Sequence, residues 1–205
     1  APETAAARSI VDNALRENRA LLSEPEAKAI LRAYGIAVVE TRIAHDIDAA
    51  NGAARELGFP VVLKILSPDI SHKSDVGGVA LDIQSSAMLS DAATKMLERV
   101  RALRPRAVLR GFSVQSMIRR PHARELIVGA ATDAVFGPVI LFGQGGTGTE
   151  QIADTAIALP PLNAYLAREL ISRTRMAKQL AGYRDRPAAD HKAIEFVLLR
   201  ISQLL

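Results

Sequence analysis

The chain has 205 residues, a net charge of +4, 49% hydrophobic and 23% charged residues, and neither Cys nor Trp. That balance belongs to a globular chain, and the length suits one large domain or two small ones. The missing cysteines exclude a disulfide scaffold, a Cys-ligated metal site and a thiol nucleophile, and they fit a cytoplasmic location.

Ala1–Ala7 reads as a small, polar linker, and Val11, Leu15 and Leu22 suggest a first helix. Ser23 and Glu26 form a capping-box signature for a helix that buries Ala27, Ile30, Leu31 and Tyr34 and stops at Gly35. Ile36–Val39 predicts a short strand, and Asp48 is expected to cap a helix closed by Gly58. Two apolar strands, Val61–Leu66 and Val79–Ile83, flank the polar loop Ser67–Gly78, and Ser90 is expected to cap a helix through Val100. Phe112–Ile118, Arg124–Ala131 and Pro138–Phe142 are β-type runs, with Glu125 opening a strand next to the one carrying Gln115. Helices are expected over Asn163–Thr174, Arg175–Ala181 and from Asp190 onward. Strands and helices do not alternate regularly, so the fold class is α+β (mixed α/β) with two lobes. No apolar run approaches the roughly 18 residues of a membrane span, and no signal-peptide pattern opens the chain. The last helix ends on Leu204 and Leu205 without a cap, as a piece of a longer protein would.

Arg99, Arg101, Arg104, Arg106 and Arg110 make the densest basic stretch. A solvated helix end and a polyanion site both fit it, but nucleic-acid binding would want interleaved aromatics, which are missing there. Lys64 is anomalous in a run of Val, Leu and Ile: either it faces water on an edge strand, or its ammonium meets an anion such as a phosphate. The Ser67–Gly78 loop could fold over a polyphosphate with its N–H groups and Lys73, and His72 could act as base, nucleophile or phosphoryl acceptor. His45, His122 and His191 lack such company. Gly143–Gly148 matches G-x-G-x-x-G, yet neither a helix start nor a downstream acidic strand end follows, so a dinucleotide fold is disfavoured. A bare turn remains, or a phosphate or metal loop using Glu150 and Asp154.

The string GFPVVLKILSPDISHKSDVGGVALDI, with VQSMI, ELIVGAATDAVFGPVILFGQGG and LPPLN, resembles the ATP-grasp domain of NDP-forming acyl-CoA synthetases, relatives of succinyl-CoA synthetase. The resemblance covers roughly residues 20–205. It implies a two-lobed ATP-grasp fold: a linker and helix over 1–22, a first lobe with the phosphate loop over 23–110 and a second over 111–205. It also implies that ATP or ADP, with Mg²⁺, is held by Lys64, Lys73, Ser74, Gly77, Gly78, Gln115, Ser116, Ile118 and Glu125. His72 matches a phosphoryl-relay histidine, and Glu150 a carboxylate that orients it or the metal. The family's magnesium ligands lie on a terminal strand and beyond it, and the chain stops at Leu205 before any such motif. The second lobe is therefore expected to lack its last strand, and the fragment to be inactive alone. The implied partners are a CoA-binding domain and a phosphohistidine-loop domain, with neither nucleic acid nor membrane. FGQGGTGTE and ELISRTRMAKQLAGYRDRP look closest to fusions bearing a C-terminal GNAT acetyltransferase. The rival function is therefore a ligand-sensing regulatory domain of a protein lysine acetyltransferase.

Overall fold

A computed structural model describes residues 2–121, 123–146, 153–182, 184 and 186–205. It divides into two compact units, one of Ala14–Lys28 and Ala37–Arg119, the other of Ala1–Asn13, Ala29–Ile36 and Arg120–Leu205. The cut passes through two helices, α1 (Thr4–Arg16) and α2 (Glu24–Ala33).

The first unit holds β1 (Thr41–Ala44), α3 (Ile47–Leu57), β2 (Val61–Ile65), a 3-10 turn (Lys73–Val76), β3 (Val79–Ile83), α4 (Ser86–Leu103) and β4 (Phe112–Ser116). The four strands form an antiparallel sheet in the order β1-β4-β2-β3. Side chains alternate across a strand. Val61, Leu63 and Ile65 of β2 thus join Phe112 and Val114 of β4 in a core completed by Ala50, Ala53 and Ala54 of α3 and Leu89, Ala93, Met96 and Val100 of α4. The small alanines let α3 lie close to the sheet, which suits a chain with few aromatics. The opposite face carries Thr41, Val62, Lys64, Ser113 and Gln115, with Lys64 opposite Ser113 and Val62 opposite Gln115.

The second unit holds β5 (Leu126–Asp133), β6 (Gly137–Gln144), β7 (Thr155–Ala158), α5 (Ala164–Ser172), α6 (Met176–Leu180) and α7 (His191–Leu204). Its sheet is antiparallel, in the order β5-β6-β7. Ile140, Phe142 and Ala156 pack with Ala167, Leu170, Ile171, Met176, Leu180 and Leu198. No described helix is long and apolar enough to cross a membrane.

Several local expectations change. Thr4–Ala7 belongs to α1 rather than to a linker, and Leu22 lies outside any helix. Residues 36–40 form no strand; pairing with β4 begins at Thr41. Asp46, not Asp48, caps α3 by accepting the Ala49 N–H at 2.7 Å. Ser85, not Ser90, caps α4, and Ser90 sits a turn inside, where its Oγ accepts from Asn51 Nδ2 of α3 at 2.9 Å. Both errors have one cause: a helix with two polar candidates near its start is capped by the one whose backbone is extended. Asn163 and Asp190, where the sequence starts two of its helices, cap them by accepting the Leu166 and Ala193 N–H groups. β4 ends at Ser116 rather than Ile118, and the strand after Glu125 pairs with β6, not with the Gln115 strand.

Candidate functional site

β2 is an interior strand, so the edge-strand reading of Lys64 falls: its side chain is 24% exposed, and its ammonium meets an anion, the Glu24 carboxylate of α2. Lys64 Nζ donates to Glu24 Oε1 at 3.0 Å, and Lys28 Nζ lies 2.9 Å from the same oxygen. Lys28 also donates to Thr41 Oγ1 at 2.8 Å and to Gln115 Oε1 at 2.9 Å. One carboxylate thus serves two ammoniums, and the group keeps a net charge of +1. Burial pushes the Glu24 carboxyl up, but hydrogen bonds from Lys28 and Lys64, with their charges, pull it down further, to below the usual carboxylate range. Beside Lys64 in register, the Ser113 hydroxyl is buried without a hydrogen-bond partner.

The loop between β2 and β3 is anchored at both ends. Ile70 and Val76 sink into the core, Asp69 Oδ2 accepts the Val108 N–H at 2.7 Å, and Ile65 N–H donates to Gly78 O at 2.8 Å. Between the anchors His72 and Ser74 are exposed and Lys73 is half-buried. The two glycines close the loop for different reasons. Gly77 takes a left-handed φ of 68°, and a Cβ on Gly78 would lie 2.6 Å from Ile65 Cγ2. The structure therefore gathers His72, Lys73, Ser74, Gly77 and Gly78 in one turn whose end is bonded to the residue after Lys64.

Gln115 joins Lys64 through Lys28 and Glu24. Ser116 closes β4 opposite Val61, and Ile118 lies two residues beyond, mostly exposed. Glu125 belongs to the other unit and is exposed; its carbonyl accepts the Gly145 N–H at 2.8 Å. Glu150 and His122 lie outside the described residues. The arginine-rich end of α4 is solvent-exposed.

Asp154 cannot serve a phosphate or metal loop. It is 6% exposed, and its two carboxylate oxygens accept the N–H groups of Arg175 and Met176 at 2.7 Å, capping α6. Nor does the Gly143–Gly148 stretch fit a dinucleotide loop, because β6 and the next described strand, β7, pair antiparallel instead of parallel. Among the described residues no three His, Asp or Glu side chains are grouped to hold a metal.

Sequence reasoning missed Glu24, Lys28 and Ser113. The helical i, i+4 spacing of Glu24 and Lys28 was a usable signal. What hid it was the capping-box reading of the same turn, which used Glu26 alone.

A family model described as an ATP-grasp domain matches residues 13–205. Over 200 residues the chain is 37% identical to acetate–CoA ligase (ADP-forming) I subunit beta of Pyrococcus furiosus, covering 98% of this chain and 85% of that one. It is 40% identical over 179 residues to acetate–CoA ligase (ADP-forming) I of Archaeoglobus fulgidus, covering 87% of this chain but 26% of that longer one. Among solved structures, Ca. Korarchaeum cryptofilum acetyl-coenzyme A synthetase 1 with coenzyme A and Ca-AMPCP superposes at a TM-score of 0.91, with 36% identity over 97% of this chain and 86% of that one. Another state of that enzyme, with Mg-AMPPCP and a phosphohistidine segment pointing towards the nucleotide site, matches at 0.81 and 33% identity, over 97% of this chain and 84% of that one.

Proposed function

The chain belongs to the ATP-grasp family, as the ATP-grasp module of an NDP-forming acyl-CoA synthetase, and from that premise we propose that it binds ATP or ADP along the Lys64 face and the Ser67–Gly78 loop and relays the phosphoryl group through His72. The observation that carries this reading is Lys64 itself, a lysine on an interior strand in a cluster of net charge +1, joined through Ile65 to a loop ending in two glycines. An interior lysine is costly unless an anion meets it, and Glu24 neutralises only half of the lysine charge there.

Phosphoryl transfer asks for charge neutralisation and in-line placement more than for covalent chemistry from the protein. Lys64 and Lys73 supply charge to the phosphates and Ser74 a hydroxyl donor, while Gly77 and Gly78, whose N–H groups close the turn onto Ser74 O and Lys73 O, let the backbone come close to the nucleotide. Gln115, Ser116 and Ile118 contact the nucleoside. The exposed His72 imidazole attacks the γ-phosphorus; the bond to the bridging oxygen breaks, ADP leaves, and a phosphohistidine remains. A phosphohistidine segment of a companion domain or subunit then takes the phosphoryl toward acyl-CoA formation. Mg²⁺ accompanies the nucleotide in a relative. Among the described residues no three His, Asp or Glu side chains are grouped to hold it. The GNAT-sensor reading draws no support from these relatives.

Two measurements test the proposal. ADP titrated into the chain should bind and raise its melting temperature, because a ligand stabilises the state it binds. Exposure to ATP should leave an acid-labile, base-stable phosphate that is lost in His72→Ala. No shift at millimolar nucleotide removes the binding site, and a label that persists in His72→Ala removes the relay.

A further inference from the structure

Glu24 is the hub of this face. Its Oε1 alone receives both ammoniums, at 2.9 and 3.0 Å, which places two cations within about 6 Å of each other, where they repel. The three side chains are 19–24% exposed, so solvent screens them only in part. Lys28 can only donate, so the end of the Gln115 amide facing it is the oxygen, and the NH₂ group is left for whatever lies on the sheet. The Ser113 hydroxyl, 1% exposed, waits unpartnered beside Lys64. A lysine on a flexible stem would otherwise sample many rotamers and lose that freedom on binding.

We propose that Glu24, together with Lys28, is a positioning residue of the nucleotide site: the shared carboxylate holds Lys64 against the face that receives phosphate and, through Lys28, turns the Gln115 amide so that it offers N–H donors to the bound nucleoside. The proposal rests on the nucleotide reading above. Glu24 touches no ligand; it acts through Lys64, Lys28 and Gln115.

Charge counting and positioning predict opposite outcomes, which makes the test sharp. Removing the negative charge in Glu24→Gln raises the local charge from +1 to +2, and by charge alone ADP should bind more tightly. Positioning predicts that ADP binds about tenfold more weakly, as when a supporting partner of a binding group is lost. Glu24→Asp, which keeps the charge with a shorter reach, should recover part of the affinity.

Calorimetric titration of ADP into the intact chain reads all of this. ADP affinity in Glu24→Gln equal to or tighter than wild type overturns the positioning role. If the wild type itself takes up no ADP, the nucleotide reading fails first and this inference with it. Should Glu24→Gln not fold, Glu24→Asp stands in, with an expected loss of about threefold from its shortened reach; unchanged affinity there overturns the role.

Discussion

Two strand-to-strand passages run past tightly fitted glycines, one in each unit, and the polar groups described in them are used in opposite ways. Between β6 and β7, Gly143 lets the backbones meet: a Cβ there would lie 2.1 Å from the Asp154 carbonyl oxygen. Asp154 then turns inward and gives both carboxylate oxygens to the start of α6. Between β2 and β3 the glycines also fit tightly, but the loop leaves His72 and Ser74 exposed and Lys73 half-buried. Beside it, Glu24 spends a single oxygen on two ammoniums and leaves a positive charge over. A buried carboxylate satisfied by backbone N–H groups is a structural part; one that falls short of neutralising its cations leaves charge for a ligand.

Substitutions should separate the two. Asp154→Ala orphans two N–H groups in the second unit and should cost about 3 kcal/mol, lowering the melting temperature by roughly 6–12 °C. The folded protein should still bind ADP within about twofold of wild type, since the site proposed on the Lys64 face keeps all its partners. A wild-type melting curve would show that the buried carboxylate supports nothing. Lys64→Met should do the reverse. It removes a charge-assisted phosphate contact worth about 2 kcal/mol, so ADP affinity should fall about thirtyfold. Stability should change less, because Glu24 keeps Lys28. Retained affinity would sever the cluster from nucleotide binding. Gly78→Ala is smaller: the added methyl meets Ile65 Cγ2 at 2.6 Å and Lys73 O at 2.9 Å, and should cost about 1–2 kcal/mol, visible as a lower urea midpoint.

The contrast was unevenly legible in the sequence. The first passage announces itself, because an interior lysine and a polar loop closing on two glycines violate the surrounding apolar pattern, and the family resemblance sits on the same residues. Strand pairing was less visible. Glu125 was placed beside the Gln115 strand because both runs look alike locally, and only the register with Gly137–Gln144 assigns Leu126–Asp133 to the other sheet. β7 was missed because four residues with two alanines carry little β signal. The capping role of Asp154 and the Glu24–Lys64 bond were hidden for a shared reason: those partners lie 21–22 and 40 residues away, and no local pattern reports such a contact, unlike the i, i+4 pair of Glu24 with Lys28.

The smallest effect belongs to a third carboxylate, on the same turn of α2 as Glu24. Glu26 takes the Arg19 guanidinium through both oxygens, at 2.7 and 2.9 Å, and its Oε2 also accepts the Ser23 N–H and hydroxyl at 2.7 Å. These bonds, the one from Arg19 foremost, bring its pKa down to about 2. Glu26 is thus closed like Asp154, but near the surface, where such pairs contribute less than about 1 kcal/mol. A carboxyl whose pKa is depressed on folding stabilises above its unfolded value, near 4.3, and that contribution drains away as pH falls toward 2. Glu26→Gln should therefore lower the urea midpoint slightly at pH 7. By pH 3 under about half of the difference should remain, because the wild type loses its advantage while Gln has no charge to lose. ADP affinity should not change at all, although Glu24, two residues away, is expected to shift it tenfold. An equal loss of affinity in Glu26→Gln would mean that the whole turn of α2, rather than the carboxylate shared by Lys28 and Lys64, sets the site.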